Sequence, residues 1–186
     1  MFGCNTDQPE NVTKELFENL ESDKELTQAT FAGGCFWCTE ASLQELDGVE
    51  EALSGYAGGE EENPTYEEVV AHKTGHREAL RAYYYAEEIT YEQILDAFWN
   101  AIDPLDPDGQ YTDRGFNYST AIFYHNEEQK LAAEKSKTAL SEKLSQEVVT
   151  KILPLSSFYP AEDIHQDFYK HSATRYQLYK KGSGRK

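Results

Sequence analysis

Apolar and polar residues follow two rhythms along this chain, and the switches between them mark out its elements. Leu26 to Ala32 is a short apolar-rich run ending in Gly33-Gly34, the pattern of a buried strand meeting a tight turn. From Cys35 to Leu46 the apolar positions Phe36, Leu43 and Leu46 fall at helical spacing, and Asp47-Gly48 stops the run. Val49 to Tyr56 predicts a second strand, closed by Gly58-Gly59, and residues 60–76 read as loop. Glu78 to Tyr85 returns to period two, with Leu80, Ala82 and Tyr84 on one face and Arg81, Tyr83 and Tyr85 on the other. Thr90-x-x-Gln93 is a capping box that opens a helix with Ile94, Leu95, Phe98, Trp99 and Ile102 on one stripe. Residues 103–118 form a long Gly/Asp/Pro-rich loop, and loops of that length are usually functional. Thr120 to Tyr124 predicts a strand, Asn126-x-x-Gln129 opens a long polar helix to about Leu144, Val148 to Leu155 predicts a strand, and Ala161 to Tyr169 a short helix.

The order strand, helix, strand, strand, helix, strand predicts an α+β fold, a ferredoxin-like split βαββαβ sandwich, with an extra C-terminal helix and strand. Residues 1–25 are polar and acidic, with a weak helical pattern at Leu16, Phe17 and Leu20; they read as a tether with at most a turn or two of helix. Residues 26–180 then form the catalytic domain, and residues 181–186, with Gly182-Ser183-Gly184, a flexible tail.

Charge narrows the partners. Lys+Arg is 17 and Asp+Glu is 34, a formal net charge of −17. That excess argues against nucleic acid and against an anionic membrane surface, both of which need cations on the protein. Hydrophobic content of 39% suffices for a globule. There is no run of apolar residues long enough to insert in a membrane and no apolar segment after Met1, so the expected location is cytoplasmic. The alternative is a lipid-anchored envelope protein, since Met-Phe-Gly-Cys4 followed by a polar stretch resembles the end of a bacterial lipoprotein signal. No Gly-x-Gly-x-x-Gly or Walker lysine motif occurs, so no nucleotide cofactor is expected.

Gly33-Gly34-Cys35-Phe36-Trp37-Cys38 carries the sharpest chemical signal. A thiol at a strand-to-helix junction meets unsatisfied N–H groups and the positive end of the helix dipole, which favours thiolate, the nucleophilic form. Cys38 falls one turn on, within reach of a disulfide. Two other readings stand beside this one. The cysteines can be buried structural residues, or zinc ligands with His72 and His76, although the 33 residues between the pairs exceed the finger spacing of about 12–15.

Six motifs in order add a family. Gly-Gly-Cys-Phe-Trp, Gly55-Tyr56-Ala57-Gly58-Gly59, Asn63-Pro64-Thr65-Tyr66, Thr74-Gly75-His76-x-Glu78, Asp113-Arg114-Gly115-x-Asn117-Tyr118 and Ala161-Glu162-Asp163-x-His165-Gln166 together resemble peptide methionine sulfoxide reductase A over roughly residues 28–170. The resemblance implies reduction of the S epimer of methionine sulfoxide, free or in proteins, an activity that repairs oxidised methionine. It implies Cys35 as nucleophile and Glu78 as the acid that protonates the departing oxygen. An oxide is a poor leaving group, so an acid is needed, and a Glu that keeps its proton near neutral pH needs a desolvated site. Tyr66 and Tyr118 match oxygen-binding hydroxyls, Phe36 and Trp37 match the pair that holds the substrate methyl, and Asp113 matches a loop acid that helps to order the site. His76 is expected to order a loop. Metals and cofactors are not implied; a thioredoxin-like dithiol is implied as reductant, and the expected state is a monomer.

The chain departs from the family pattern in its cysteines. Cys38 replaces the usual glycine, and no cysteine follows position 38, where many relatives carry distal resolving cysteines. Only Cys38 and Cys4 remain beside Cys35; Cys38 is the expected resolving residue, condensing with a Cys35 sulfenic acid, and Cys4 is the alternative. In the Asp113 loop, Phe116, Asn117 and Ser119 stand where Thr, Gln and Arg are common. A disulfide oxidoreductase acting directly on protein thiols is the main alternative enzyme.

Overall fold

A computed structural model describes residues 12–184. In chain order the elements are α1 (Val12–Ser22), β1 (Leu26–Ala32), α2 (Phe36–Gln44), β2 (Val49–Ala57), α3 (Tyr66–Val70), β3 (Arg77–Tyr85), α4 (Tyr91–Ala101), β4 (Gly109–Gln110), β5 (Asp113–Arg114), β6 (Ala121–Tyr124), α5 (Glu127–Leu144), β7 (Lys151–Pro154), β8 (Phe158–Pro160), α6 (Phe168–His171) and α7 (Ala173–Ser183), with 3-10 turns at Phe116–Tyr118 and Asp163–His165. This is a mixed α/β fold around a six-stranded sheet in the order β7-β6-β1-β3-β2-β8. The four central strands are mutually antiparallel; β8 extends one edge antiparallel to β2, and β7 extends the other parallel to β6.

Period two in β3 sorts its side chains as expected. Leu80 and Tyr84 face α2 and α4, joining Phe31, Leu43, Ile94, Leu95, Phe98 and Ile122 in the main core. The other face, unlike the sequence pattern suggests, is also buried, because α1 lies across it. Residues 12–22, expected within the tether, are a packed helix. Leu16, Phe17 and Leu20 meet Leu53 and Tyr83, and Glu21 accepts from Arg81 at 2.8 Å and from the Tyr83 hydroxyl at 2.6 Å. That anchor joins residues 60 positions apart, so local periodicity carried little of it. Residues 1–11, and with them the Cys4 lipid-anchor alternative, lie outside the described residues. Among the described residues no helix is long and apolar enough to cross a membrane.

Three further differences are local. The 60–76 segment contains α3, five residues long, opened by a Thr65–Glu68 capping box. The predicted 148–155 strand is β7 over Lys151–Pro154, and an unpredicted β8 follows. The expected 161–169 helix is a 3-10 turn and the short α6; α7 then runs on into the expected tail, ending at Gly184, whose φ of +78 suits glycine. The Thr90–Gln93 box forms as read. At Asn126 only half of the box forms, because the Gln129 amide bonds His125 N–H and the Gln28 carbonyl instead.

The long loop is pinned from inside. The buried Gln110 amide donates to the Asp103 and Gly109 carbonyls at 2.8 Å and accepts from Asp103 N–H at 2.7 Å. Gly55 is the point where β8 lies closest to β2: a Cβ there would sit 2.4 Å from both the Phe158 ring and the Tyr159 carbonyl oxygen. Gly55→Ala should therefore displace β8 and lower stability by about 1–3 kcal/mol, read as a lowered urea midpoint; an unchanged midpoint would show that β8 docks without this contact.

Candidate active site

Strand β1 delivers the chain to Gly33-Gly34, where Gly34 takes φ +81 and turns it into α2. Cys35 is the N-cap residue, and its carbonyl accepts the first helical bonds, from Cys38 N–H at 3.2 Å and Thr39 N–H at 3.4 Å. Both Cys35 and Cys38 are buried free thiols, hydrogen-bonded to each other. The buried Glu78, second residue of β3, reaches the same turn, and its Oε2 accepts from Phe36 N–H at 3.1 Å.

This contact overturns the expectation of a resting Cys35 thiolate. The N–H at the start of α2 serves the Glu78 carboxylate. Burial pushes the Cys35 thiol well above its usual range, the Cys38 hydrogen bond and the Glu78 charge push the same way, and only a Tyr179 hydrogen bond opposes them. Desolvation and a neighbouring anion outweigh the helix dipole.

Two phenols complete the polar cluster. Tyr66 opens α3 and Tyr118 closes the 3-10 turn after β5. Burial raises Tyr66 to about 12, and the charges of Glu78, Cys35 and Asp113 contribute. Tyr118 is raised by burial, then by Glu78, Tyr66, Cys35 and Asp113. Both therefore stay neutral donors across the physiological range. Glu162 holds Tyr66 in place, accepting from its N–H at 2.9 Å while its other oxygen accepts from the Tyr56 hydroxyl at 2.7 Å.

An aromatic cluster follows Cys35 at the start of α2. The Phe36 ring lies 6.3 Å from Tyr66, 6.1 Å from Tyr56 and 5.3 Å from His165. Trp37 stacks on Phe168 at 3.8 Å and meets the edge of Tyr179 at 5.9 Å. His165 is held below its usual pKa by burial, which Glu162 only partly offsets, so the ring in this cluster is neutral.

Two residues escape the sequence reading altogether. Tyr176 and Tyr179 project from α7 at i, i+3 spacing. Tyr176 hydrogen-bonds Cys38. Tyr179 hydrogen-bonds the Cys35 sulfur and donates to the Asp113 carboxylate. The Tyr-x-x-Tyr spacing was the available signal, but the segment is too polar to declare a helix. The eight expected site residues, Cys35, Cys38, Glu78, Tyr66, Tyr118, Phe36, Trp37 and Asp113, are thus brought together by these contacts and charge interactions.

The supporting shell is polar and buried. The His76 ring accepts from Gly59 N–H at 3.3 Å through Nδ1 and donates from Nε2 to the Glu61 carbonyl at 2.9 Å. It orders the loop as expected, and both nitrogens the zinc reading needs are occupied. The loop carrying Glu162 and His165 is tied down by Gln166, which bonds Ser54 through both backbone groups at 2.9 Å. Glu40 of α2 adds a second tie: the Ser54 hydroxyl donates to one oxygen and Asp167 N–H to the other at 2.5 Å.

Comparison with known proteins agrees with this geometry. Residues 27–186 match the family model described as Peptide methionine sulfoxide reductase. A Bacillus subtilis protein named Peptide methionine sulfoxide reductase MsrA is 51% identical over 159 residues, covering 84% of this chain and 90% of that protein. A Streptococcus agalactiae protein of the same name is 49% identical, covering 82% and 92%. Among solved structures, reduced Mxr1 from Saccharomyces cerevisiae superposes with a TM-score of 0.77 at 29% identity, covering 81% of this chain and 88% of that one. Methionine sulfoxide reductase A of Corynebacterium diphtheriae gives 0.72 at 28%, covering 80% and 76%.

Burial raises Glu40 to about 8 despite its two donors. A carboxyl held above its unfolded pKa contributes stability that is fully present below about 4.3 and is lost as pH rises through about 8. Glu40→Gln can accept from Asp167 N–H through its carbonyl and donate from its amide to the Ser54 oxygen, and it removes the titration. The wild-type urea midpoint should therefore fall relative to the variant between those pH values; parallel pH profiles would show that Glu40 is already ionised in the folded protein.

Proposed function

The chain belongs to the peptide methionine sulfoxide reductase family, and we propose that its reaction runs on one proton shared between Cys35 and Glu78. It reduces methionine sulfoxide to methionine, as a peptide-methionine (S)-S-oxide reductase. The observation that carries the residue roles is the Phe36 N–H to Glu78 contact, which sets a buried carboxylate beside a buried sulfur.

At rest, burial, the Cys38 hydrogen bond and the neighbouring Glu78 keep the proton on the Cys35 thiol. A sulfoxide entering with its oxygen toward Tyr66, Tyr118 and Glu78 accepts neutral hydrogen bonds from the two phenols. The positively polarised sulfur of the substrate then faces Cys35. As the Cys35 sulfur attacks, its proton passes through Glu78 to the sulfoxide oxygen. The protonated oxygen then leaves the substrate sulfur for the Cys35 sulfur as the S–S bond formed in the attack breaks, which gives a Cys35 sulfenic acid and releases methionine. Cys35 has been oxidised and the methionine sulfur reduced by two electrons. The Phe36–Trp37 wall holds the methyl, and fixing methyl and oxygen at separate places selects one epimer.

Cys38 then condenses with the sulfenic acid, giving a Cys35–Cys38 disulfide and water. The existing thiol–thiol hydrogen bond supports this step without rearrangement of α2. A dithiol restores both thiols by exchange. Cys38 lines an open cleft of about 380 Å³ with Ser42, Glu45, Tyr176 and Lys180, which supports Cys38 as the sulfur that the reductant attacks. The yeast protein Mxr1 has been captured in complex with Trx2; for this chain a thioredoxin-like protein is the proposed reductant. We read the β6-β1-β3-β2 core with α2 and α4 as ferredoxin-like, extended at both edges by β7 and β8.

The shared proton makes opposite predictions for two readouts. Glu78→Gln removes the neighbouring charge, so Cys35 should alkylate at lower pH than in wild type, while methionine sulfoxide reduction falls about 100-fold or more. Cys35→Ser should abolish reduction, and Cys38→Ser should complete one turnover but lose thioredoxin recycling. A Glu78→Gln enzyme that keeps wild-type turnover would sink the proton-sharing mechanism. Tyr179→Phe removes a hydrogen bond that favours the thiolate, so the Cys35 alkylation midpoint should rise; a fixed midpoint would reduce Tyr179 to packing.

A further inference from the structure

Outside the catalytic cluster lies a buried cation with no anionic partner among the described residues. Arg77 opens β3 next to Glu78, but points to the opposite face of the sheet. It is only 7% exposed. Its Nε donates to the Ser119 hydroxyl at 2.9 Å, and its guanidinium lies 4.2 Å from the Phe116 ring centroid. No described carboxylate pairs with it, and burial alone shifts its pKa, downward, with no charged neighbour contributing. A desolvated charge left in this state is costly and ordinarily finds a counter-ion.

The space in front of it is suited to one. Arg77 lines a cavity of about 660 Å³ together with Arg114, Ser119, Thr120 and Lys151. Asp106 on the same wall is already bound by Arg114. With Asp108 also on its lining, the cavity carries three cationic side chains against two carboxylates, a local excess of cations on a chain of net charge −17. The free guanidinium N–H groups of Arg77 form a planar fork, the geometry that takes two oxygens of a carboxylate or phosphate at once. The departures from the family pattern in the Asp113 loop also fall here: Phe116 supplies the ring under Arg77, and Ser119 supplies its hydroxyl partner.

We propose that this cavity is an oxyanion-binding site, with Arg77 as its buried fork and Lys151 as its rim cation. The ligand class is a carboxylate or phosphate group, carried by a substrate polypeptide or free in solution. Phe116 and Ser119 flank Tyr118, so the occupied site would brace the turn that presents that hydroxyl to the catalytic cluster.

Binding is read without turnover, so the test stands apart from the proposed chemistry. Inorganic phosphate is titrated into the full chain at constant ionic strength and followed by calorimetry and amide NMR shifts. Shifts should centre on residues 115–120, and Arg77→Gln should weaken binding about tenfold or more. Lys151→Gln, at an exposed position, should weaken it by a smaller factor with the fold intact. A second arm compares methionine sulfoxide peptides carrying Glu or Gln near the sulfoxide. A KM advantage for Glu that disappears in Arg77→Gln identifies a substrate carboxylate as the source; phosphate binding without that advantage identifies a free oxyanion. The proposal is overturned if phosphate shifts nothing at 115–120, or if Arg77→Gln and Lys151→Gln both bind as wild type does.

Discussion

A sulfur and a carboxyl buried side by side at the start of one helix cannot both be anions, and the rest of this molecule is arranged around that constraint. Phe36 N–H fixes the Glu78 carboxylate at the turn where Cys35 caps α2. The Glu78 charge raises the cost of ionising Cys35, and the proposed mechanism rests on the pair sharing one proton. Around it the site offers neutral hydrogen-bond donors. Tyr66 and Tyr118 are kept protonated by their own burial and by the same negative charge. A lysine or arginine in their place would stabilise both anions and release the proton that the departing oxygen needs.

Precision in this cluster comes from buried polar ties that have little to do with the hydrophobic core. The main core lies between the sheet and α2, α4 and α5. The loops that complete the site are held by single side chains: His76 by two backbone bonds, Gln166 and Glu40 at Ser54, Gln110 across the long loop. Glu40 shows the cost of such ties. Its burial lifts its pKa to about 8, so a contact that positions Glu162 and His165 also makes stability depend on pH.

Elements with strong local signals were legible in the chain. The period of β3, the stripe of α4 and the Thr90–Gln93 box all form as their residues suggest. What local pattern left out depends on contacts distant in sequence. Helix α1 is secured by Glu21 on Arg81 and Tyr83, and α7 by two tyrosines on the cysteine pair. The site residues were legible through ordered motifs, but the ionisation of Cys35 was not. A helix N-terminus predicts a low thiol pKa only when its N–H groups face the sulfur, and which atom they face is settled by β3, 42 residues away. Short elements such as α3 and β8 carry too few residues for any period to show, although the Thr65-x-x-Glu68 capping box was there to be read.

A raised thiol pKa looks like a poor choice for a nucleophile, yet it suits this reaction. Peroxides and other indiscriminate oxidants attack the thiolate, and a thiol that is protonated and nearly buried offers them little. The sulfoxide carries its own means of unlocking the sulfur. Its oxygen is the base that takes the shared proton, and its sulfur is the electrophile that the new thiolate meets. Ionisation and attack are thereby confined to the moment when substrate fills the site. On the proposed route the partner thiol, already hydrogen-bonded one turn away, would consume the sulfenic acid in place. A resolving cysteine on a distal segment would have to displace α7, whose Tyr179 covers the same sulfur. On the proposed Cys35–Cys38 route, α7 can stay docked through the cycle.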